Sequence, residues 1–177
     1  MRKIILLIAY SLLLIVLFSN IAFAQVASES ARNNYQLPYP GLLPDNPLYF
    51  LKAARDRIIE FLISDPLKKA EFDLLSADKR LAVGLALFDK KKYELSETTI
   101  SKGENYFEDG IKNLDNAKRE GRQIDPSLLV NFDLSTKKHK EILGNLTVKA
   151  GEPFKKKFAK DLERVTRFVE MVNKLKL

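Results

Sequence analysis

Between Leu67 and Phe88 the apolar residues Leu67, Ala70, Leu74, Ala77, Leu81, Leu85 and Phe88 recur at every third or fourth position, the spacing of side chains that share one face of an α-helix. The pattern predicts a helix opening at Asp65-Pro66 and closing on Lys90-Lys91-Lys92, cations that suit the negative pole of a helix dipole. A second stripe, Ser96, Ile100, Gly103, Phe107, Gly110 or Ile111, Leu114 and Ala117, predicts a helix from Tyr93 to about Glu120 with Gly121 closing it. Each interior glycine costs roughly 1 kcal/mol of helix propensity relative to alanine. Its place on the inward stripe therefore implies close approach of a neighbouring helix, with a kink as the alternative.

Two further stripes follow. Leu128, Phe132, Ser135, His139, Ile142 and Leu146 form one after Asp125-Pro126; Phe154, Phe158, Leu162, Val165, Val169, Val172 and Leu175 form the other after Gly151-Glu152-Pro153. Upstream, a shorter helix is predicted from Pro47 to about Ile63, with Leu48, Leu51, Ala54, Ile58 and Leu62 as its inward face and Lys52, Arg55, Asp56 and Glu60 between them. Most of these helices open on an acidic or amide residue followed by proline, a pairing that caps the free N–H groups and places proline where it donates nothing. The expected fold is all-α: an up-and-down antiparallel bundle of four long helices, with the shorter first helix packed alongside or across one end. The stripes are amphipathic and not apolar all round, as for a water-facing body.

The chain before this body has a different character. Arg2-Lys3, an apolar run from Ile4 to Phe18 and Ala22-Phe23-Ala24 form the three parts of a secretory signal, with cleavage expected before Gln25. An uncleaved anchor is the alternative, since roughly 20 apolar residues span a bilayer. Either way the body is expected to be exported: secreted, periplasmic or cell-surface. Residues 25–46 read as an arm, polar and small up to Gln36, then stiffened by Pro38, Pro40 and Pro44. Gly41 after Pro40 favours a turn with positive φ. Residues 47–177 form the single domain. Tyr39, Leu42, Leu43, Tyr49 and Phe50 are available to pack the arm on the bundle.

Composition narrows the chemistry. The 177 residues contain no cysteine, which excludes disulfides and thiolate catalysis and leaves an exported domain to its apolar core. The formal charge is +7, and +5 from Gln25 onward (28 basic against 23 acidic). His139 is the only histidine and lies inward on the fourth helix. A bundle metal site would want a second histidine or a Glu-x-x-His pair, and position 136 is threonine, so a partly buried structural histidine is expected. Glu104, Glu108 and Asp109 read as a solvated face. No nucleophile has a recognisable base and the glycines form no phosphate loop, so no enzyme activity, cofactor or metal is expected. The sequon Asn145-Leu146-Thr147 falls inside a predicted helix and reads as chance.

The third helix region, 93–120, carries seven acidic and four basic residues, net −3, while 126–177 carries six acidic and twelve basic, net +6. Lys155, Lys156 and Lys157, with Lys160 one turn on, put cations where a helix dipole disfavours them by about 0.3–1 kcal/mol each. That suggests an anionic surface as partner, an acidic envelope polymer or lipid headgroups, against a solvated face balanced by Glu152 and Asp161. Nucleic acid is not expected, because the basic residues lack interleaved aromatics.

The run Tyr39-Pro40-Gly41-x-Leu43-Pro44-Asp45-x-Pro47-x-Tyr49-x-x-Lys52, followed by Asp65-Pro66-Leu67-Lys68-Lys69-Ala70-Glu71 and Ala77-Asp78-Lys79-Arg80-Leu81, resembles an uncharacterised family of exported prokaryotic helical proteins defined by a domain of unknown function. The resemblance spans about residues 37–120. It implies an exported helical domain and brings no activity, substrate or catalytic residue. The opening motif, Tyr39, Pro40, Gly41, Pro44, Asp45, Pro47 and Tyr49, has a backbone reason at each position and reads as structural. The expected function is a non-catalytic binding or structural module of the cell envelope. The rival readings are a small-ligand or metal-sensing bundle built around His139, Ser96, Gly103 and Ser135, and an enzyme of unrecognised type.

Overall fold

A computed structural model describes residues 35–176 of the chain. The signal segment proposed for 1–24 and the polar stretch up to residue 34 lie outside them. The described residues form five helices: α1 (Tyr49–Leu62), α2 (Pro66–Asp89), α3 (Tyr93–Arg119), α4 (Pro126–Lys149) and α5 (Phe154–Leu175). Sequence neighbours pack antiparallel. α2 lies on α3 and α4 on α5, and the two hairpins join through α3 against α5 and α2 against α4. The boundaries follow from local chemistry. Asp65 accepts hydrogen bonds from the Leu67 and Lys68 amides (2.9 and 3.0 Å) and Asp125 from the Ser127 amide (2.8 Å), each with proline next in line. At the far ends, Gly121 (φ 74°) closes α3 and Lys91 (φ 60°) closes α2. In both, the following amide reaches back across the turn, Arg122 to the Ala117 carbonyl and Lys92 to that of Leu87.

The stripes of α2 to α5 face one another. Phe107 is at the centre, stacked on Phe168 with ring centroids 5.5 Å apart and edge-on to Phe132 at 5.5 Å, with Leu81, Ile100, Leu114, Leu143 and Phe158 buried around it. Burial of each such side chain contributes about 1.5–3 kcal/mol. The glycines on α3 mark close approach and not a kink: α3 is unbroken, and a methyl on Gly103 would lie 3.0 Å from Arg80 Cβ and 3.3 Å from the Ala77 carbonyl oxygen. Among the described residues, no helix is long and apolar enough to cross a membrane.

Two expectations fail at the amino-terminal end. First, α1 begins at Tyr49, after a turn in which Asn46 accepts from the Leu48 amide (2.9 Å), so Pro47 precedes the helix and does not start it. α1 also buries no residue. Its expected inward face of Leu48, Leu51, Ala54, Ile58 and Leu62 is exposed. The half-buried positions are Tyr49, Lys52, Asp56 and Glu60, at spacings of three and four, so the helix lies polar side down. The reason is what lies beneath: Glu60 accepts from the Tyr106 hydroxyl (3.1 Å), and Tyr106 is capped by the Arg80 guanidinium 4.8 Å from its ring centroid. A charged surface of this kind takes a polar face.

Second, the arm does not pack through Tyr39, Leu42 or Phe50, all of which are exposed. It packs through Leu37, which lies against the apolar core, and through Tyr35, within the part of the arm read as small and polar. The rest of the opening motif fixes the chain path. Gly41 has φ 67°, Lys52 donates to the Pro40 carbonyl (3.2 Å), and Asp45 pairs with Lys92 (2.8 Å) and Lys90 (3.5 Å) at the α2–α3 turn.

Candidate functional site

Charged side chains occupy the inner face of the bundle. His139 on α4 is completely buried, and both its ring nitrogens are engaged: Nδ1 with Glu104 Oε1 on α3 at 2.9 Å, Nε2 with Asp78 Oδ1 on α2 at 3.1 Å. Asp78 also accepts from the Ser135 hydroxyl (2.5 Å, on Oδ1) and the Tyr35 hydroxyl (2.5 Å, on Oδ2). Three segments, the arm, α2 and α4, thus meet at the Asp78 carboxylate, and His139 links it to Glu104 on α3. Burial alone would hold the imidazole neutral. The Glu104 charge and the hydrogen bonds to Asp78 and Glu104 outweigh it and push the His139 pKa up to about 9. The ring is therefore an imidazolium donating to two carboxylates, with neither nitrogen free to bind a metal.

Glu104 is the clearest departure from expectation. It was assigned with Glu108 and Asp109 to a solvated face and is fully buried, while Glu108 is half-buried against Arg164 (3.1 Å) and Asp109 is exposed. Its Oε2 atom has no hydrogen-bond partner among the described residues, nor does Oδ2 of the buried Asp161 on α5. Burial, then the Glu104 and Glu97 charges, push Asp161 up to about 7, against the pull of Arg164 and Ser101. Asp73 on α2 is likewise raised to about 7 by burial, although the Asn113 amide donates to it at 2.8 Å. The small polar residues named around His139 are in use too. Ser96 donates to the Gly84 carbonyl (2.7 Å), and Gly103 lies against α2.

The lysines of α5 lie at the surface. Lys155, Lys156, Lys157 and Lys160 are all exposed. Lys157 reaches Glu97 at 3.6 Å and lies 5.7 Å over the Phe154 ring. Lys157 and Lys160 edge an open groove of about 480 Å³ that also includes Asp161 and Arg164. An acid at the base of that groove makes it mixed in charge.

α1 also stands out at the surface. Phe50, Leu51, Ile58, Phe61 and Leu62 are all exposed, Phe61 at 86%, and a groove of about 700 Å³ lined by Arg57, Lys69, Arg80, Lys102 and Asp109 runs beneath the helix.

The sequence matches the family described as Domain of unknown function (DUF5667) over residues 41–153. The chain belongs to this family. The DUF5667 match runs from Gly41 in the opening motif through α4, further than the resemblance read from the motifs. It takes in α1, Asp78, Glu104 and His139 and leaves α5 with its lysines outside. Neither a curated protein nor a solved structure matches the chain.

The spacing carried a signal for the missed acids. Asp78 lies four residues after Leu74 and three before Leu81; Glu104 lies four after Ile100 and three before Phe107; Asp161 lies three after Phe158 and four before Val165. Each is on the stripe of its own helix.

Proposed function

We propose that this DUF5667 chain is a non-catalytic, exported helical module of the cell envelope whose work is binding, carried out by α1. The observation that carries this reading is the inverted seating of α1: its polar side rests on the bundle, and Phe50, Leu51, Ile58, Phe61 and Leu62 face out. Burying such side chains is worth about 1.5–3 kcal/mol each, and the bundle does not take them. A sequence that holds that face outward, with Glu60 and Lys52 hydrogen-bonded on the opposite side, presents it to something else. The groups with the chemistry of an active site support the same reading, since His139, Asp78 and Glu104 are spent on one another in the core.

A photo-crosslinking phenylalanine analogue placed at Phe61 in the native envelope tests this. It is expected to form adducts with envelope components that the same group at Val148, exposed on α4, does not form. Equal labelling from both positions, or none from Phe61, would refute the assignment of α1 as the docking element.

A further inference from the structure

The charges around α1 identify what its outer face meets. The acids of the helix, Asp56 and Glu60, are on the half-buried side, and Glu60 is held there by Tyr106. The exposed apolar strip is bordered by Arg57, four residues before Phe61, and by Arg55, four residues after Leu51. Positions four apart are neighbours on a helix surface, so a guanidinium flanks the strip on each side. Both arginines are exposed, and Arg55 shares an open ion pair with Asp56 at 2.6 Å, the kind of exposed pair that is worth little and exchanges readily for another anion.

An exposed apolar strip with aromatic residues, arginine on both borders and acids turned away is the arrangement of a helix lying in the plane of a membrane interface. There the apolar side chains enter the acyl boundary, while each arginine keeps its stem along the apolar surface and its head among the phosphates. A second copy of the chain fits less well. Fourteen residues make a helix of about 21 Å. Pairing two such strips would bring Arg55 and Arg57 of both copies together, four guanidinium groups against the two Asp56 carboxylates that already pair with Arg55.

Resting on the reading of α1 as the docking element, we infer that its outer face binds the surface of an anionic lipid bilayer, through Phe50, Leu51, Ile58, Phe61 and Leu62 with Arg55 and Arg57 on the headgroups.

The chain has no tryptophan, so Phe61→Trp gives a reporter confined to α1, whatever the amino-terminal segment does. The full chain carrying it is combined with vesicles of phosphatidylcholine alone or mixed with phosphatidylglycerol. On the mixed vesicles the emission is expected to move to the blue and be quenched by brominated acyl chains, while Val148→Trp on the bundle stays in water. Adding Arg55→Gln and Arg57→Gln should lower the inserted-to-free ratio about 30-fold, from ~1 kcal/mol for each basic group at an anionic surface. Three results would overturn the inference: a reporter that stays in water on both vesicles, an equal shift on neutral and anionic vesicles, or a shift without vesicles that grows with protein concentration, which would mean a second copy. If the vesicles fail while Phe61 still crosslinks an envelope protein, the lipid assignment falls and the docking reading stands; if both fail, both fall.

Discussion

Raising the pH from about 7.5 to about 9.5 is expected to destabilise the bundle through a single side chain. His139 titrates at about 9 in the folded protein against 6.5 for an ordinary histidine. Its folded value lies above its unfolded one, so its contribution is complete below about pH 6.5 and is lost as the pH rises through about 9. At about 1.4 kcal/mol per unit, the loss is about 3 kcal/mol, a large share of the 5–15 kcal/mol that a domain of this kind has in total. Asp73 and Asp161, raised to about 7 by burial, act with the same sign but between about pH 4 and 7, so the window above about 7.5 belongs to His139. The assay is urea unfolding followed by circular dichroism at half-unit pH steps. His139→Gln should flatten the upper limb of the profile. It should also cost about 3–5 kcal/mol near neutrality, because Asp78 and Glu104 then remain buried without their cation. Adding Glu104→Gln should recover part of that cost by removing one of the stranded charges. Equal slopes for the wild type and His139→Gln above about pH 7.5 would refute the reasoning.

The packing supplies further tests by thermal or urea unfolding. Gly103→Ala should cost about 1–3 kcal/mol, since the added methyl would lie 3.0 Å from Arg80 Cβ. Gly144→Ala, which meets nothing within 4 Å, should stabilise by about 0.5–1 kcal/mol through helix propensity alone. Lys91→Gly is expected to stabilise by about 1 kcal/mol by relieving a left-handed backbone at φ 60°, and unchanged stability there would argue against strain at the α2–α3 turn. Phe132→Ala should cost about 3–5 kcal/mol, whereas Phe61→Ser, at a position 86% exposed, should stay within about 0.5 kcal/mol.

The helices of the bundle were readable from their stripes because the periodic residues and the buried residues are nearly the same set; Ser96, Gly103 and Ser135 were rightly placed inward despite not being apolar. For Glu104 and Asp78 charge reads as a mark of the outside, while their spacing puts them inside. A histidine on an inward stripe needs hydrogen-bond partners, and the facing stripes held the candidates. Tyr35 gave no periodic signal at all, because its partner Asp78 is 43 residues away and only the folded chain brings them together. For α1, periodicity gave the strip but not its direction. An amphipathic pattern shows that two faces differ, and which of them meets the body depends on what the body offers.

The seating of α1 also sets how it shares in the cooperativity of the fold. With no buried residue, it draws almost nothing from the common core, and a helix of fewer than about 15 residues is marginal in water by itself. The amides of α1 should therefore exchange with solvent hydrogen by local opening, far ahead of those in α2 to α5, as a separate low-stability unit. A surface that received the outer face would slow that exchange in proportion to its affinity, because capture and completion of the helix would then be one equilibrium.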